Sequence, residues 1–166
     1  MIISVGELND NKNHEIIIRA IARIPKVKYV IVGKGNLETH LLELTAELNV
    51  SDRVILTGYR TDIKELLIAS DCFAFPSKRE GLGIAALEGM SVGLPVIGHD
   101  IGGIRDFIVA GLTGILCDDN VLSYEGAIQK VFESSQFKLH ENCHTMAEKF
   151  DCSITDNIMR SVYWSL

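Results

Sequence analysis

Little in this sequence is basic, cross-linked or membrane-seeking. Lysine and arginine number 16 against 22 aspartates and glutamates, a formal net charge of −6. With no clustered Lys and Arg to neutralise a run of phosphates, a general nucleic-acid binder is excluded. A small anionic ligand is not, because one loop can hold it. The four cysteines, Cys72, Cys117, Cys143 and Cys152, show no Cys-x-x-Cys and no paired histidine spacing for zinc. They are expected as reduced thiols in a cytoplasmic protein, with Cys72 and Cys117 acting as small buried hydrophobes in strand-like runs. The apolar stretches, such as Ile16 to Ile18 and Cys72 to Pro76, fall far below the ~20 residues of a membrane-spanning helix. Met1 leads straight into Ile2-Ile3-Ser4-Val5 with neither a basic region nor a cleavage site, so no signal peptide is expected and the start reads as a domain boundary. Internal repeats, low-complexity segments and proline-rich linkers are also missing.

What is present is the material of one ordered domain. The 166 residues suffice for a single core, and 47% hydrophobic against 23% charged residues is a globular balance. Short β-branched runs recur at Ile2 to Val5, Tyr29 to Val32, Val54 to Leu56, Cys72 to Phe75, Pro95 to Ile97 and Gly114 to Cys117. Between them the period changes. Ile17, Ile18, Ile21 and Ile24 form one face of a helix over His14 to Ile24, with Glu15, Arg19 and Arg23 turned outward and Asn13 as its cap. Further helices are expected over Leu37 to Leu48, Ile63 to Ala69 capped by Thr61, Gly83 to Met90, and Ser123 to Phe132. The tail, 139–166, reads as two helical pieces, Leu139 to Phe150 and Ile154 to Leu166, with Ser153 as a cap. Tyr163 and Trp164 are expected to pack that tail onto the domain, the alternative being that they reach toward another domain outside these residues.

Strand and helix in alternation predict an α/β fold: a Rossmann-like parallel six-stranded sheet flanked by helices, since each parallel connection must cross over. Ligands in such sheets sit beyond the carboxyl ends of the strands. The segments to read are therefore Gly6 to Asn13, Gly33 to Gly35, Gly58 to Arg60, Ser77 to Gly83 and Asp100 to Gly103, each containing glycine. Gly33-Lys34-Gly35 does not continue as G-x-G-x-x-G, and no such motif follows the first strand, which argues against NAD. Those glycines supply either a tight turn or a ligand contact. The segment from Ser77 to Met90 places Glu80 before the glycine loop Gly81-Leu82-Gly83 and Glu88 about two turns into the next helix. Backbone N–H groups at that helix start favour a diphosphate, and carboxylates accept hydrogen bonds from sugar hydroxyls. Glu80 and Glu88 as mere solvated helix residues is the plain alternative.

Other polar residues carry less. His140 and His144 lie four apart on an expected helix but lack a third ligand, so no metal is expected. Asp100 either faces the site or shapes a turn, and Arg105 and Asp106 belong to a helical turn.

Taken together, Val5-Gly6-x-Leu8 with Lys12, Val30-x-Val32-Gly33-x-Gly35, Gly58, Asp71 followed by Pro76-Ser77, Glu80-Gly81-x-Gly83, Gly93-x-Pro95-Val96, Gly102-Gly103 and Gly114 resemble a family-4 retaining glycosyltransferase of the GT-B fold. The two glutamates separated by seven residues are that family's signature, and Glu80 and Glu88 have the spacing. The resemblance implies the C-terminal, donor-binding half of such an enzyme, with the N-terminal acceptor domain absent from 1–166. It implies that Glu80 contacts the donor sugar and Glu88 the ribose. Leu82, Gly83 and Ile84 would offer backbone N–H groups, and Lys12 would neutralise the phosphates. Gly58, Tyr59 and Arg60 would border the base, with Gly6, Gly33, Ser77 and Gly81 completing the donor site. Lys12 and Glu80 are the expected catalytic pair. The donor is expected to be a UDP-sugar, bound as substrate with no cofactor. The acceptor would be a glycan or lipid-linked molecule, as in bacterial exopolysaccharide and capsule synthesis, compatible with peripheral membrane association of the full-length enzyme. A fragment of this kind is expected to be inactive alone.

Glu7 departs from the pattern, standing where the family usually has arginine; the expectation is that it points away from the ligand, or that Arg60 supplies the missing cation. Leu82 replaces a commoner phenylalanine. The rivals are a GT-B epimerase acting on UDP-N-acetylglucosamine, disfavoured by the glutamate spacing, and a noncatalytic nucleotide-sugar-binding module, for which Glu7 is the hint.

Overall fold

A computed structural model describes residues 1–133 and 137–164. Six strands, β1 (Ile2–Val5), β2 (Tyr29–Val32), β3 (Val54–Leu56), β4 (Cys72–Phe75), β5 (Val96–His99) and β6 (Gly114–Cys117), form one sheet in the order β3-β2-β1-β4-β5-β6. All five pairings are parallel. The helices are α1 (His14–Arg23), α2 (Glu38–Glu47), α3 (Ile63–Ile68), α4 (Ile84–Ser91), α5 (Val121–Glu133), α6 (Phe137–Glu148) and α7 (Cys152–Trp164). A 3₁₀ turn over Gly102–Asp106 holds Arg105 and Asp106, as expected, and Arg105 Nε donates to Asp100 Oδ1 at 2.6 Å.

Both faces of the sheet are apolar, and the two-residue period of the strands sorts side chains between them. Ile2, Tyr29, Ile31, Cys72, Ala74 and Ile97 join one core with residues of α1, α2 and α5. Their neighbours Ile3, Val30, Val32, Phe73, Phe75 and Val96 join a second core with α3, α4, α6 and Ile104 to Ile108. This is why the strands read as near-continuous apolar runs. Burial on both sides leaves Cys72, Cys117 and Cys143 inside, with the Cys117 and Cys143 thiols pushed up to about 12 by loss of water.

Several local expectations differ from the fold. Asn13 stands at the N-cap of α1, but at φ 50° and ψ 37° it is left-handed, a conformation outside the β-region from which a side chain caps. Its amide donates to Asp119 Oδ1 at 3.3 Å instead. The residue before α3 is Asp62, not Thr61, and its carboxylate is drawn off by Arg60 rather than capping. Asp151, not Ser153, opens α7, accepting the Ser153 N–H at 2.8 Å. α5 begins two residues before Ser123, where Asn120 Oδ1 takes the Ser123 N–H at 2.9 Å. β5 runs to His99 rather than stopping at Ile97. Glu88, the fifth residue of α4, lies little more than one turn in.

The tail divides. α6 packs on the second core through Cys143, Met146 and Ala147, and His140 lies against Gly93. On α7, Tyr163 is 68% and Trp164 88% exposed, so these rings do not pack onto the domain. Ile154 and Met159 on the same helix are exposed too. The expected end of the tail at Leu166 lies outside the described residues.

Candidate functional site

Strand order reverses between β1 and β4, since β1 leads away to β2 on one side and β4 to β5 on the other. The loops following those two strands diverge and leave a crevice at the carboxyl edge of the sheet, the place where open α/β folds bind ligands. Lys12 is on one loop and Glu80 on the other. They meet: Lys12 Nζ donates to Glu80 Oε2 at 2.7 Å, with the side chains 22% and 19% exposed. The Lys12 ammonium also sits 5.3 Å from the Phe75 ring centroid, a cation over an aromatic floor. The aliphatic stem of Lys12 lies over Gly6.

Two residue types shape the β4 loop. Gly83 caps α4 in the left-handed region, φ 71° and ψ 44°, and a Cβ there would come within 3.0 Å of Phe75 and 3.1 Å of Phe107. Behind it, Gly103 lies so close that a Cβ would meet the Gly81 carbonyl at 1.9 Å. The loop is thereby pressed onto the 3₁₀ turn, with the first amides of α4 directed at its mouth. Ala86 N–H and Leu87 N–H bond back to Gly83, while the amides of Ile84 and Ala85 precede the first carbonyl an α-helix could offer them. A partial positive charge from α4 and the Lys12 ammonium therefore converge near Glu80.

The other expected residues divide between two clefts. Gly6, Glu7, Gly33, Lys34, Tyr59 and Arg60 line a cleft of about 430 Å³ on the β2 side of the crevice. Gly58 borders it, accepting the Gly33 N–H at 2.9 Å. Leu82, Ile84 and Glu88 line a second groove of about 450 Å³ against α6 and the start of α7, where Glu88 is exposed. Ser77 is fully buried, and its Oγ has no hydrogen-bond partner among the described residues. Arg60 is held by Asp62 through Nε at 2.8 Å and Nη2 at 2.5 Å, and that guanidinium keeps the Asp62 carboxyl below the usual carboxylate range. Glu7, expected to turn away, is exposed and accepts from Asn9 Nδ2 at 2.9 Å, yet contributes to the wall it shares with Arg60 and Lys34.

Sequence reasoning missed Lys34, Asn11 and the Phe75–Phe107 floor. Lys34 was legible as the second residue after the second strand, which ends at Val32. Phe75 and Phe107 meet across 32 positions, with ring centroids 6.5 Å apart, which no local pattern records. Among the described residues no group of three or more His, Cys, Asp and Glu side chains is placed to hold a metal. No helix among them is long and apolar enough to cross a membrane.

Comparison with known proteins accords with this geometry. The chain is 32% identical to N-acetyl-alpha-D-glucosaminyl L-malate synthase of Bacillus anthracis over 147 residues, covering 86% of this chain and 38% of that protein. It is 31% identical to the putative glycosyltransferase EpsD of Bacillus subtilis, covering 98% of this chain and 45% of that protein. The crystal structure of Anabaena HepE in complex with UDP superposes with a TM-score of 0.91 at 25% identity, covering 99% of this chain and 49% of that one. The chain thus spans less than half the length of these relatives, and its six-stranded sheet matches one half of a GT-B glycosyltransferase. The group 1 glycosyl transferase profile matches residues 1–150, and to that family the chain belongs.

Proposed function

We propose that this domain binds a nucleotide-sugar donor, a UDP-sugar, for a glycosyltransferase that retains anomeric configuration. The observation that supports this best is the Lys12–Glu80 pair seated in the crevice beside the start of α4. In this reading the diphosphate takes the Lys12 ammonium and the α4 amides, while Glu80 accepts from sugar hydroxyls and Glu88 from the ribose. Gly6, Gly33, Gly58, Tyr59 and Arg60 border the base. Ser77, from inside the β4 loop, and Gly81, with Leu82, Gly83 and Ile84, shape the diphosphate cradle.

Transfer breaks the bond between the anomeric carbon and the β-phosphate oxygen and forms one to an acceptor oxygen on the same face. The acceptor proton leaves with the departing diphosphate, so no basic side chain is required. Lys12 and the α4 dipole stabilise the charge that develops on the leaving oxygen. The acceptor, a glycan or lipid-linked molecule in polysaccharide synthesis, is bound by a preceding domain. The domain alone holds donor without efficient turnover.

Calorimetry on the domain is expected to give heat with UDP and with at least one of UDP-glucose, UDP-galactose or their N-acetyl counterparts. Binding of GDP with no response to any uridine ligand at millimolar concentration sinks the uridine assignment.

The two glutamates separate further. Glu88→Ala is expected to weaken UDP and UDP-sugar alike by about tenfold, the worth of a hydrogen bond near 1–1.5 kcal/mol. Glu80→Ala is expected to weaken only the sugar-bearing donor, because the two carboxylates touch different parts of it and Glu80 meets the sugar. Equal effects of both changes on both ligands refute these roles.

A further inference from the structure

The two loops that carry Lys12 and Glu80 are separated by 68 positions, yet they are stitched together by one residue that the proposed binding roles leave unused. Asn11 Nδ2 donates to the Arg79 carbonyl at 3.0 Å, and Asn11 Oδ1 accepts the Arg79 N–H at 3.0 Å. The Asn11 carbonyl accepts the Lys78 N–H at 2.8 Å. The side-chain amide therefore satisfies both backbone groups of a single residue, as a neighbouring strand would, and a third bond fixes the register. The residues next in line on the two loops are Lys12 and Glu80. On the opposite side of Lys12, its own N–H is held by Asn9, through Oδ1 at 3.0 Å. The Lys12 backbone is thus pinned on one side by a turn and on the other by a clasp to the β4 loop.

An amide suits this task as few side chains do. It presents one donor and one acceptor in a plane, matching the carbonyl and N–H of Arg79, whereas aspartate lacks the donor and alanine both. Removing it leaves the two Arg79 groups to water and frees the loops to part at the crevice where order matters most.

We propose that Asn11 is a positioning residue for the donor diphosphate: by clasping Arg79 it holds Lys12 against Glu80 and the α4 amides, and the affinity for the phosphates depends on it. This rests on the donor-binding reading above, and ligands that differ only in phosphate distinguish the two. UDP and uridine are titrated against the domain and its Asn11→Ala variant, with calorimetry for UDP and ligand-observed NMR for the weaker uridine. Asn11→Ala is expected to lose about tenfold in UDP affinity and to hold uridine within about twofold, because uridine makes no use of Lys12. Parallel losses for both ligands reveal general disruption of the site and overturn the proposal, as does unchanged UDP affinity. A natural-sequence domain that binds neither ligand counts against the donor-binding reading itself. If Asn11→Ala does not fold, Asn11→Ser, whose hydroxyl can keep one of the two bonds, is titrated with the same two ligands: a loss confined to UDP supports the clasp, and parallel losses or an unchanged UDP affinity overturn it.

Discussion

Lowering the pH from 7 to 4 is expected to remove about 3 kcal/mol of folding stability through one side chain, His14. This histidine opens α1, two residues after Lys12, and is 4% exposed. Its bonds fix its protonation by counting hydrogens. Ser4 Oγ lies 2.6 Å from the Ala74 carbonyl, which can only accept, so the Ser4 hydrogen is committed there. The 2.8 Å contact between Ser4 Oγ and Tyr29 Oη then uses the Tyr29 hydrogen, and the 3.1 Å contact from Tyr29 Oη to His14 Nδ1 needs the hydrogen on Nδ1. Nε2 is left bare and buried, with no hydrogen-bond partner among the described residues. Adding a proton there places a charge in an apolar core, and burial brings the imidazole down from its ordinary value to about 4. The Lys12 ammonium lowers it further, and the nearby Glu7 carbonyl pulls the other way.

The sign follows. The unfolded chain takes up the proton near pH 6.5 and the folded protein only near pH 4, so stability is complete above pH 6.5 and falls across that window. The carboxylates of Glu15, Asp62, Asp100 and Asp151, held low by their partners, lose their contributions as the pH falls past their ordinary values, 4.5 for Glu15 and 3.8 for the aspartates, and a comparison with a His14 variant cancels them. Urea unfolding of the domain and of His14→Asn, whose amide can keep a donor near the Nδ1 position, separates the terms. The natural protein should lose about 3 kcal/mol more than the variant between pH 6.5 and 4. Parallel curves refute the assignment.

Much of the architecture was legible because it is recorded locally. All six strands were placed from β-branched runs, and Ile17, Ile18 and Ile21 face the core as the helical period required. The caps were harder, because Asn13, Thr61 and Ser153 are all chemically able to cap and the outcome depends on competitors. Asp119 takes the amide of Asn13, and Arg60 takes the carboxylate of Asp62. Both Asp119 and Arg60 are set by tertiary or loop geometry that no cap pattern contains. Tyr163 and Trp164 failed for a related reason: an aromatic pair favours burial, but only where a surface exists to receive it.

The site divides in the same way. That Lys12 and Glu80 belong to one crevice followed from loops after parallel strands, and the 2.7 Å ion pair joins them. The Asn11 clasp and the Phe75–Phe107 floor are contacts across the fold and left no mark at sequence spacing. Chemistry at the level of residue type was readable; orientation was not. Glu7 illustrates the gap: its residue type does not fix its direction, and the fold sets it, exposed and bonded to Asn9, in a wall shared with two cations, Lys34 and Arg60.

That placement sets the last expectation: Glu7→Arg should tighten UDP by about 1–3 kcal/mol, the strength of a charge-assisted hydrogen bond to phosphate. The change removes an anion from the cleft wall beside Gly6 and supplies a planar guanidinium that can grip two phosphate oxygens at once. Lys12 alone is a point charge and is already engaged by Glu80, so a second cation has room to add. Because Glu7 is exposed, the gain should shrink as salt is raised. Arg60 is a poor substitute in the natural sequence, since both its Nε and Nη2 are spent on Asp62. Arg60→Ala should therefore cost little UDP affinity, and the double variant should show the two effects adding, as they do for sites that share no partner. Calorimetry of the four proteins against UDP decides it. If Arg60→Ala is costly in the natural sequence but harmless beside Arg at position 7, Arg60 has left Asp62 for the phosphates and compensation is real. If Glu7→Arg changes nothing at low salt, the Glu7 side chain stays in solvent when the ligand is bound, and the cleft wall there plays no part in holding the diphosphate.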